Sequence, residues 1–337
     1  MDHDSIMTRA IELSKNGLGL TFPNPIVGAV VVSASGEIIG EGFHSGGAHA
    51  ETIAIEDCIR NGRPTQGSTI YVSLEPCNHI GKTPPCSKAI VEAGIARVFY
   101  AVADPNPIAQ GGGQYLHEQG VEVIPHLLEA EAAFSNRAWL HKIANKRPYF
   151  NWKIASTFDG YSAAEDGTSK WITSDASRDS VQNLRAEADA ILVGTGTALA
   201  DNPSLIPSGD HRRPLRIVMG QRALPPTSNL LNSESKTILF SSRDIDAFIN
   251  DVNALGINSI LVEAGARLGT ALLKAGCIDE ITWFQAPTLF GAGQKVVGDL
   301  DVTTLSQRLD FTIAEVKRVG SDICTVLLPK KKAEASF

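Results

Sequence analysis

IVGAVVV at residues 26–32, EIIGEG at 37–42, HAETIAIEDCIR at 49–60, STIYVSL at 68–74 and PCNHIGKTPPC at 76–86 follow one another with a switch of hydrophobic period between them. The first two read as the strands of a β-hairpin. The third carries apolar residues at Ile53, Ala54 and Cys58, a helical spacing that begins at His49. STIYVSL reads as another strand, and residues 75–85 as a polar loop. Cys86 then opens the helix CSKAIVEAG, with Pro85 just before it and Gly94 as its terminator. Strands and helices in this order predict an α/β domain with His49 and Cys86 at helix N-termini. There the free backbone N–H groups and the positive end of the dipole favour thiolate over thiol, and thiolate is the form that binds zinc.

The residue types define a chemistry. His49, Cys77 and Cys86 supply one imidazole and two thiols, and Glu51 a carboxylate, in the order used by zinc-dependent nucleobase deaminases. A zinc ion with three protein ligands keeps a fourth position for water and lowers its pKa to about 7. Hydrolysing an amino group off a heteroaromatic ring needs such a nucleophile. Glu51 need not touch the metal; it takes the proton from water and passes it to a ring nitrogen and then to the leaving ammonia. A His-x-Glu triplet or a buried Cys is common by itself, whereas the ordered set within strand–helix units is specific. A purely structural zinc would need a fourth ligand, and His44, Cys58 and His79 are the nearby candidates.

The global numbers fit a two-domain enzyme. At 337 residues the chain exceeds the comfortable size of one hydrophobic core. A hydrophobic content of 43% with 20% charged residues is that of a globular protein, and the net charge of −7 provides no basic field for nucleic acid. The opening MDHDSIMTRAIELSKNGLG is acidic before it is apolar, and no run approaches the roughly 20 apolar residues of a membrane span. A cytoplasmic protein without nucleic-acid or membrane partners is expected, and a homo-oligomer is left open. Of the five cysteines, Cys58, Cys277 and Cys324 read as reduced core thiols.

A polar break at residues 145–148 separates a closing helix, FSNRAWLHKIA at 134–144, from a new strand, YFNWKIA at 149–155. This divides the chain into domains at 1–144 and 149–330, with PKKKAEASF as a solvated tail. Beyond the break, strands at 189–194, 215–219, 237–240, 259–263 and 280–286 alternate with helices at 179–188, 245–255 and 267–275, the pattern of a mostly parallel sheet. Two strand-to-helix turns, VGTGT at 193–197 and EAGARLG at 263–269, would let a backbone approach a diphosphate. Neither is a full G-x-G-x-x-G, so helix-start glycines explain them equally well.

The deaminase signature usually has two residues between its cysteines, and this chain has eight. That long loop, with Asn24-Pro25-x-Val27-Gly28 before it and Asp104-Pro105-Asn106-Pro107 after it, resembles the bifunctional deaminase/reductases of bacterial riboflavin biosynthesis. The resemblance continues through STFDG at 156–160, SKWITS at 169–174, LADNPSL at 199–205 and VEAG at 262–265. It implies a cytidine-deaminase-like three-layer domain followed by a dihydrofolate-reductase-like α/β domain that uses NADPH. Carried over by motif position, Ala155, Trp171, Thr197, Asp201, Gly265, Ala266, Arg267, Leu268, Gly269, Thr270 and Ala271 line the cofactor, and Ser241 joins them. Asn24, Ser169, Arg185, Leu205 and Glu263 face substrate.

Other assignments stay open. Arg243 would meet the 2′-phosphate of NADPH or lie on the surface, and His44, His79 and Lys82 would meet substrate phosphate or solvent. Where the family carries an arginine for the substrate phosphate, this chain has Ser208, so a shifted contact from Arg212, Arg213 or Arg216 is expected beside Arg185. The implied substrates are phosphorylated pyrimidines: a diaminopyrimidine loses its 2-amino group, and the ribosyl group of the product is then reduced. Two rivals are a deaminase of another small nucleobase or nucleotide with an inactive reductase half, and a zinc-stabilised binding module.

Overall fold

The computed structural model describes residues 2–79 and 84–330; Lys82 and most of the tail lie outside them. The chain divides into two compact units, Met1–Arg147 and Pro148–Phe337.

The first unit contains α1 (His3–Lys15), β1 (Gly28–Val32), β2 (Ile38–Phe43), α2 (Ala50–Arg60), β3 (Thr69–Leu74), α3 (Cys86–Glu92), β4 (Arg97–Val102), α4 (Gly112–Glu118), β5 (Glu122–Ile124), α5 (Glu129–Ser135) and α6 (Arg137–Asn145). Its sheet runs β2-β1-β3-β4-β5, with β1 antiparallel to both neighbours and β3, β4 and β5 parallel. Side chains alternate across strands, and both faces here are apolar. Ala29, Val31, Ile70 and Val98 pack against Ala54 and Cys58 of α2, Ile90 of α3 and Leu116 of α4. Val30, Val32, Tyr71 and Phe99 pack against Met7 and Ala10 of α1, Ala132 of α5 and Trp139 of α6. The result is a three-layer α/β/α sandwich. Glycine is required where the layers touch: a Cβ on Gly28 would collide with the Ala10 carbonyl, and one on Gly42 with the Ala50 carbonyl.

The expected closing helix at 134–144 is instead two, because Asn136 breaks it. This buried side chain accepts from the Ile26 N–H (3.0 Å) and donates to the Ile26 carbonyl (2.7 Å), which ties the helix pair to the entry of β1.

The second unit contains β6 (Tyr149–Thr157), β7 (Tyr161–Ala163), α7 (Asp175–Glu187), β8 (Ala190–Gly194), α8 (Thr195–Asp201), β9 (Leu215–Met219), β10 (Thr237–Phe240), α9 (Ile245–Ala254), β11 (Ser259–Val262), α10 (Ala266–Lys274), β12 (Glu280–Ala286), β13 (Gln294–Lys295), β14 (Phe311–Val319) and β15 (Asp322–Pro329). Its main sheet has the order β10-β9-β8-β11-β6-β12-β15-β14. The strands from β10 to β12 in that order are parallel, and β15 is antiparallel to both of its neighbours. The carboxyl ends of the parallel strands therefore lie along one edge, where open α/β sheets bind ligands. Among the described residues, no helix is long and apolar enough to cross a membrane.

Candidate functional site

His49 is the N-cap of α2, and Cys86 is the first residue of α3. Cys77 lies between them in sequence, in the loop after β3. His49 Nδ1 is 3.2 Å from Cys86 Sγ and 3.5 Å from Cys77 Sγ, and the backbone N–H of Cys86 points to Cys77 Sγ at 3.5 Å. One ligand atom from each of the three residues lies within 4.8 Å of the others. Two soft, buried sulfurs and one half-buried imidazole fit the donor set and the open three-ligand arrangement of a catalytic zinc. Among the described residues no fourth ligand joins this group. Cys58 packs in the core against Ala54 and Ile90, and His44 directs Nδ1 to the Ala48 carbonyl at 3.0 Å.

The electrostatics suit zinc. Hydrogen bonds from Cys86 and His49 outweigh burial and hold the Cys77 thiol down at about 4. Its hydrogen bond and negative charge, with burial, push the Cys86 thiol up. Glu51 is 3% exposed, and burial, together with the charge on Cys77, pushes its carboxyl up to about 7. A carboxyl so placed exchanges protons near neutrality.

Sequence reasoning missed the residue that holds the Cys77 loop. Glu75 is buried at the end of β3. Its Oε2 accepts from the Asp104 N–H (3.0 Å) and its Oε1 from the Gly113 N–H (2.9 Å). The DPNP segment at 104–107 thus braces the metal loop. Asn24 lies exposed in the turn before β1, with its carbonyl accepting from Thr21 Oγ1 at 3.0 Å. The buried atoms His44 Nε2 and His79 Nδ1 have no hydrogen-bond partner among the described residues.

The second unit gathers most of the remaining candidates at the carboxyl edge of its sheet. Ala155 comes from the end of β6, Thr197 from α8 after β8, Ser241 follows β10, and Glu263 and Gly265 follow β11. Leu268 lies against Gly194, in van der Waals reach of a Cβ there at 3.6 Å. No side chain caps α8 or α10. The first-turn N–H groups of α10 are thus left for an anion, and together with the glycines they fit a nicotinamide dinucleotide. Gly269 serves packing: a Cβ there would drive into the Trp152 ring, so only glycine lets α10 lie this close to β6.

The structure places several other expected contact residues as follows. Gly269 faces Trp152, and Thr270 is buried with Oγ1 accepting from the Gly298 N–H (2.7 Å), so both anchor α10 to its own unit. Leu205 is 1% exposed and belongs to the core with Ile191, Val193 and Leu230. Its backbone is left-handed, at φ 56°. Trp171 is exposed beneath the Arg178 guanidinium, 4.5 Å from the ring centroid. Ser169, Asp201 and Arg243 are exposed.

Arg185 and Glu263 form one bidentate pair, at 2.5 and 2.8 Å. Lys153, which sequence reading overlooked in β6, places its ammonium 3.8 Å from Glu263. Burial pushes the Glu263 carboxyl up, but the hydrogen bonds and charges of Arg185 and Lys153 prevail and hold it below the usual range. Arg216 is unavailable to a substrate. It is fully buried, and it donates to the carbonyls of Ser204, Asn229, Asn232 and Ser235 and to Asn232 Oδ1.

A three-ligand metal site with a buried carboxylate on one unit, and a dinucleotide-binding edge on the other, define the class: a zinc deaminase fused to a nicotinamide-dependent reductase. Residues 148–325 match the family model for the RibD C-terminal domain, and residues 1–102 that for the cytidine and deoxycytidylate deaminase zinc-binding region. The riboflavin biosynthesis protein RibD of Mycobacterium tuberculosis (strain H37Rv) is 41% identical over 335 residues, covering 97% of each chain. The crystal structure of a diaminohydroxyphosphoribosylaminopyrimidine deaminase/5-amino-6-(5-phosphoribosylamino)uracil reductase from Thermotoga maritima matches with a TM-score of 0.89 at 35% identity, covering 97% of this chain and 98% of that one. Acinetobacter baumannii RibD matches with a TM-score of 0.87 at 35% identity, covering 97% and 99%. The chain belongs to the RibD family, the bifunctional deaminase/reductases of riboflavin biosynthesis. Zinc serves its deaminase half and NADPH its reductase half.

Proposed function

We propose that the first unit hydrolyses the 2-amino group of 2,5-diamino-6-ribosylamino-4(3H)-pyrimidinone 5′-phosphate. The second unit then reduces the ribosyl group of 5-amino-6-(5-phosphoribosylamino)uracil to ribityl. The substrates follow the activity printed for the Thermotoga protein. The observation that carries the reading is Glu51, buried two residues from one ligand of the His49/Cys77/Cys86 set. Zinc held by those three side chains supplies the Lewis acidity that makes water nucleophilic near neutral pH. Glu51 takes a proton from the water and delivers it to the ring nitrogen beside the amino group; it then takes the proton of the newly added hydroxyl and passes it to the amino group, which departs as ammonia. His44 Nε2 and His79 Nδ1, buried without hydrogen-bond partners among the described residues, are the groups we assign to substrate. Asn24 sits in the turn before β1 for the same task.

In the second unit, NADPH at the carboxyl edge supplies the hydride. Glu263 holds Arg185 and Lys153 in fixed positions at that edge. Lys153 is suited to protonating the ring oxygen as the sugar opens to the imine that accepts hydride. Since both substrates carry a phosphate, each site must bind one. The shifted contact falls to Arg213, whose Nη1 donates to the Pro207 carbonyl at 3.1 Å, next to Ser208. The reading includes a cytoplasmic location, supported by five cysteines all free of disulfides.

The test is a coupled assay of purified protein with the diaminopyrimidine substrate, with and without NADPH, following ammonia release and nicotinamide absorbance. Ammonia should appear without NADPH, and absorbance should fall only when both are present. Glu51→Gln should lower ammonia release about 10²–10⁴-fold, the usual worth of a general acid–base, with zinc retained. A protein that releases no ammonia, or a Glu51→Gln variant at wild-type rate, would sink the reading.

A further inference from the structure

Arg222 follows β9, at the carboxyl edge of the second unit's sheet. The strand order sets its surroundings: β9 lies between β10 and β8, and β8 lies beside β11. Gly220, directly after β9, is pinned on both sides. Its N–H donates to the Phe240 carbonyl at the end of β10 (2.9 Å), and a Cβ on it would stand 2.6 Å from Thr195 Oγ1 at the start of α8. At φ 137° the position needs glycine, and the missing side chain lets the loop close down on α8. The same loop carries the Arg222 guanidinium over Gly196, where Nη2 is 3.2 Å from the place a Cβ would take. Arg222 is exposed, and among the described residues it has no hydrogen bond or ion pair.

The direction in which the nucleotide runs gives this cation a task. With NADPH at the carboxyl edge, its hydride end belongs at β6, with Ala155 and Lys153, and its diphosphate at the uncapped first turn of α10, after β11. Leu268 of that turn lies against Gly194, so the start of α8 continues the line. Past β11 and β8 the next strand is β9. The adenosine half therefore reaches the loop of Arg222. NADPH differs from NADH by one phosphate, on the 2′-hydroxyl of that adenosine, and a guanidinium with no carboxylate to satisfy it matches a phosphate through its paired donors. Arg243 is the other candidate, and it is placed less well. It follows β10, one strand farther out, and the carboxylates of Asp244 and Asp246 at the start of α9 are its sequence neighbours, which disfavour an anion.

We propose that Arg222 grips the 2′-phosphate of NADPH and so sets the preference of the reductase half for NADPH over NADH, an assignment that rests on the nucleotide lying along the carboxyl edge. The test measures binding of NADP⁺ and NAD⁺ to the full chain by calorimetry, alongside KM for NADPH and NADH in the reduction of 5-amino-6-(5-phosphoribosylamino)uracil. Wild type should favour the phosphorylated nucleotide in both measurements. Arg222→Ala should weaken NADP⁺ binding about 10–100-fold, raise KM for NADPH in step, and erase most of the preference over NAD⁺. Arg222→Lys, which keeps the charge without the fork, should regain part of it. Arg243→Ala should keep the wild-type preference. A wild type that binds both nucleotides equally, an Arg222→Ala variant that still prefers NADP⁺, or an Arg243→Ala variant that loses the preference would each overturn the proposal. A wild type that binds neither nucleotide would instead bring down the carboxyl-edge reading, and the assignment of Arg222 with it.

Discussion

Arg212, Arg213 and Arg216 stand close to the place where the family arginine is missing, and the structure gives each a different occupation. Arg212 binds the buried Asp189 carboxylate at 2.7 Å. Arg216 is enclosed, and Arg213 alone of the three is exposed beside Pro207. Arg213→Ala should therefore raise KM for the phosphorylated reductase substrate about tenfold, a loss of about 1.4 kcal/mol, with kcat nearly unchanged. Arg212→Ala should leave KM alone and cost about 1–3 kcal/mol of stability, through the weakened partnering of Asp189. Steady-state kinetics and urea unfolding of both variants check this, and an unchanged KM for Arg213→Ala removes the assigned contact. At this scale the metal ligands were legible, because His, Cys and Cys at their spacing have few other uses. Arginine is ambiguous in sequence, since the same guanidinium serves an anion, a carboxylate or a ring of carbonyls. Lys153 was hidden for a related reason: in YFNWKIAST it reads as the polar side of a strand, and only the fold brings Glu263 to it.

Elements were legible where an apolar run is bounded by polar or turn residues. β9, β10 and β12 begin and end where their apolar runs do, and α9 and α10 lie within a residue of their expected bounds. Three failures have separate causes. The break between α5 and α6 depends on Asn136 meeting Ile26, a contact across 110 positions that no local pattern contains. α8 has only seven residues and depends on its tertiary setting. β14 and β15 were not anticipated because β14, exposed on both faces, has no clean alternation of apolar and polar residues. The Asn136 contact makes a prediction: Asn136→Ala leaves a buried N–H and a buried carbonyl of Ile26 unpaired, at about 1–3 kcal/mol each. The first unit should lose about 2–4 kcal/mol in urea titration, and a loss under 1 kcal/mol would mean that the break has another cause.

For the whole molecule, the chemistry is split between two compact units with their own cores. Removing zinc with a chelator should abolish ammonia release while leaving NADPH oxidation with supplied 5-amino-6-(5-phosphoribosylamino)uracil intact, and added zinc should restore the first activity. Parallel loss of both activities would show that the reductase half depends on the metal. The two halves were legible as alternating strands and helices, whereas the bracing of the metal loop was not, because Glu75 reads as any loop carboxylate. That bracing bears on how the ion is captured. One carboxylate clamps the strand end beside Cys77 to the turns at Asp104 and Gly113, so the loop that carries a metal ligand is fastened by the protein's own hydrogen bonds. A ligand loop tied to two distant turns has little freedom left to lose on closing round a cation, so its grip is firmer than a free loop's.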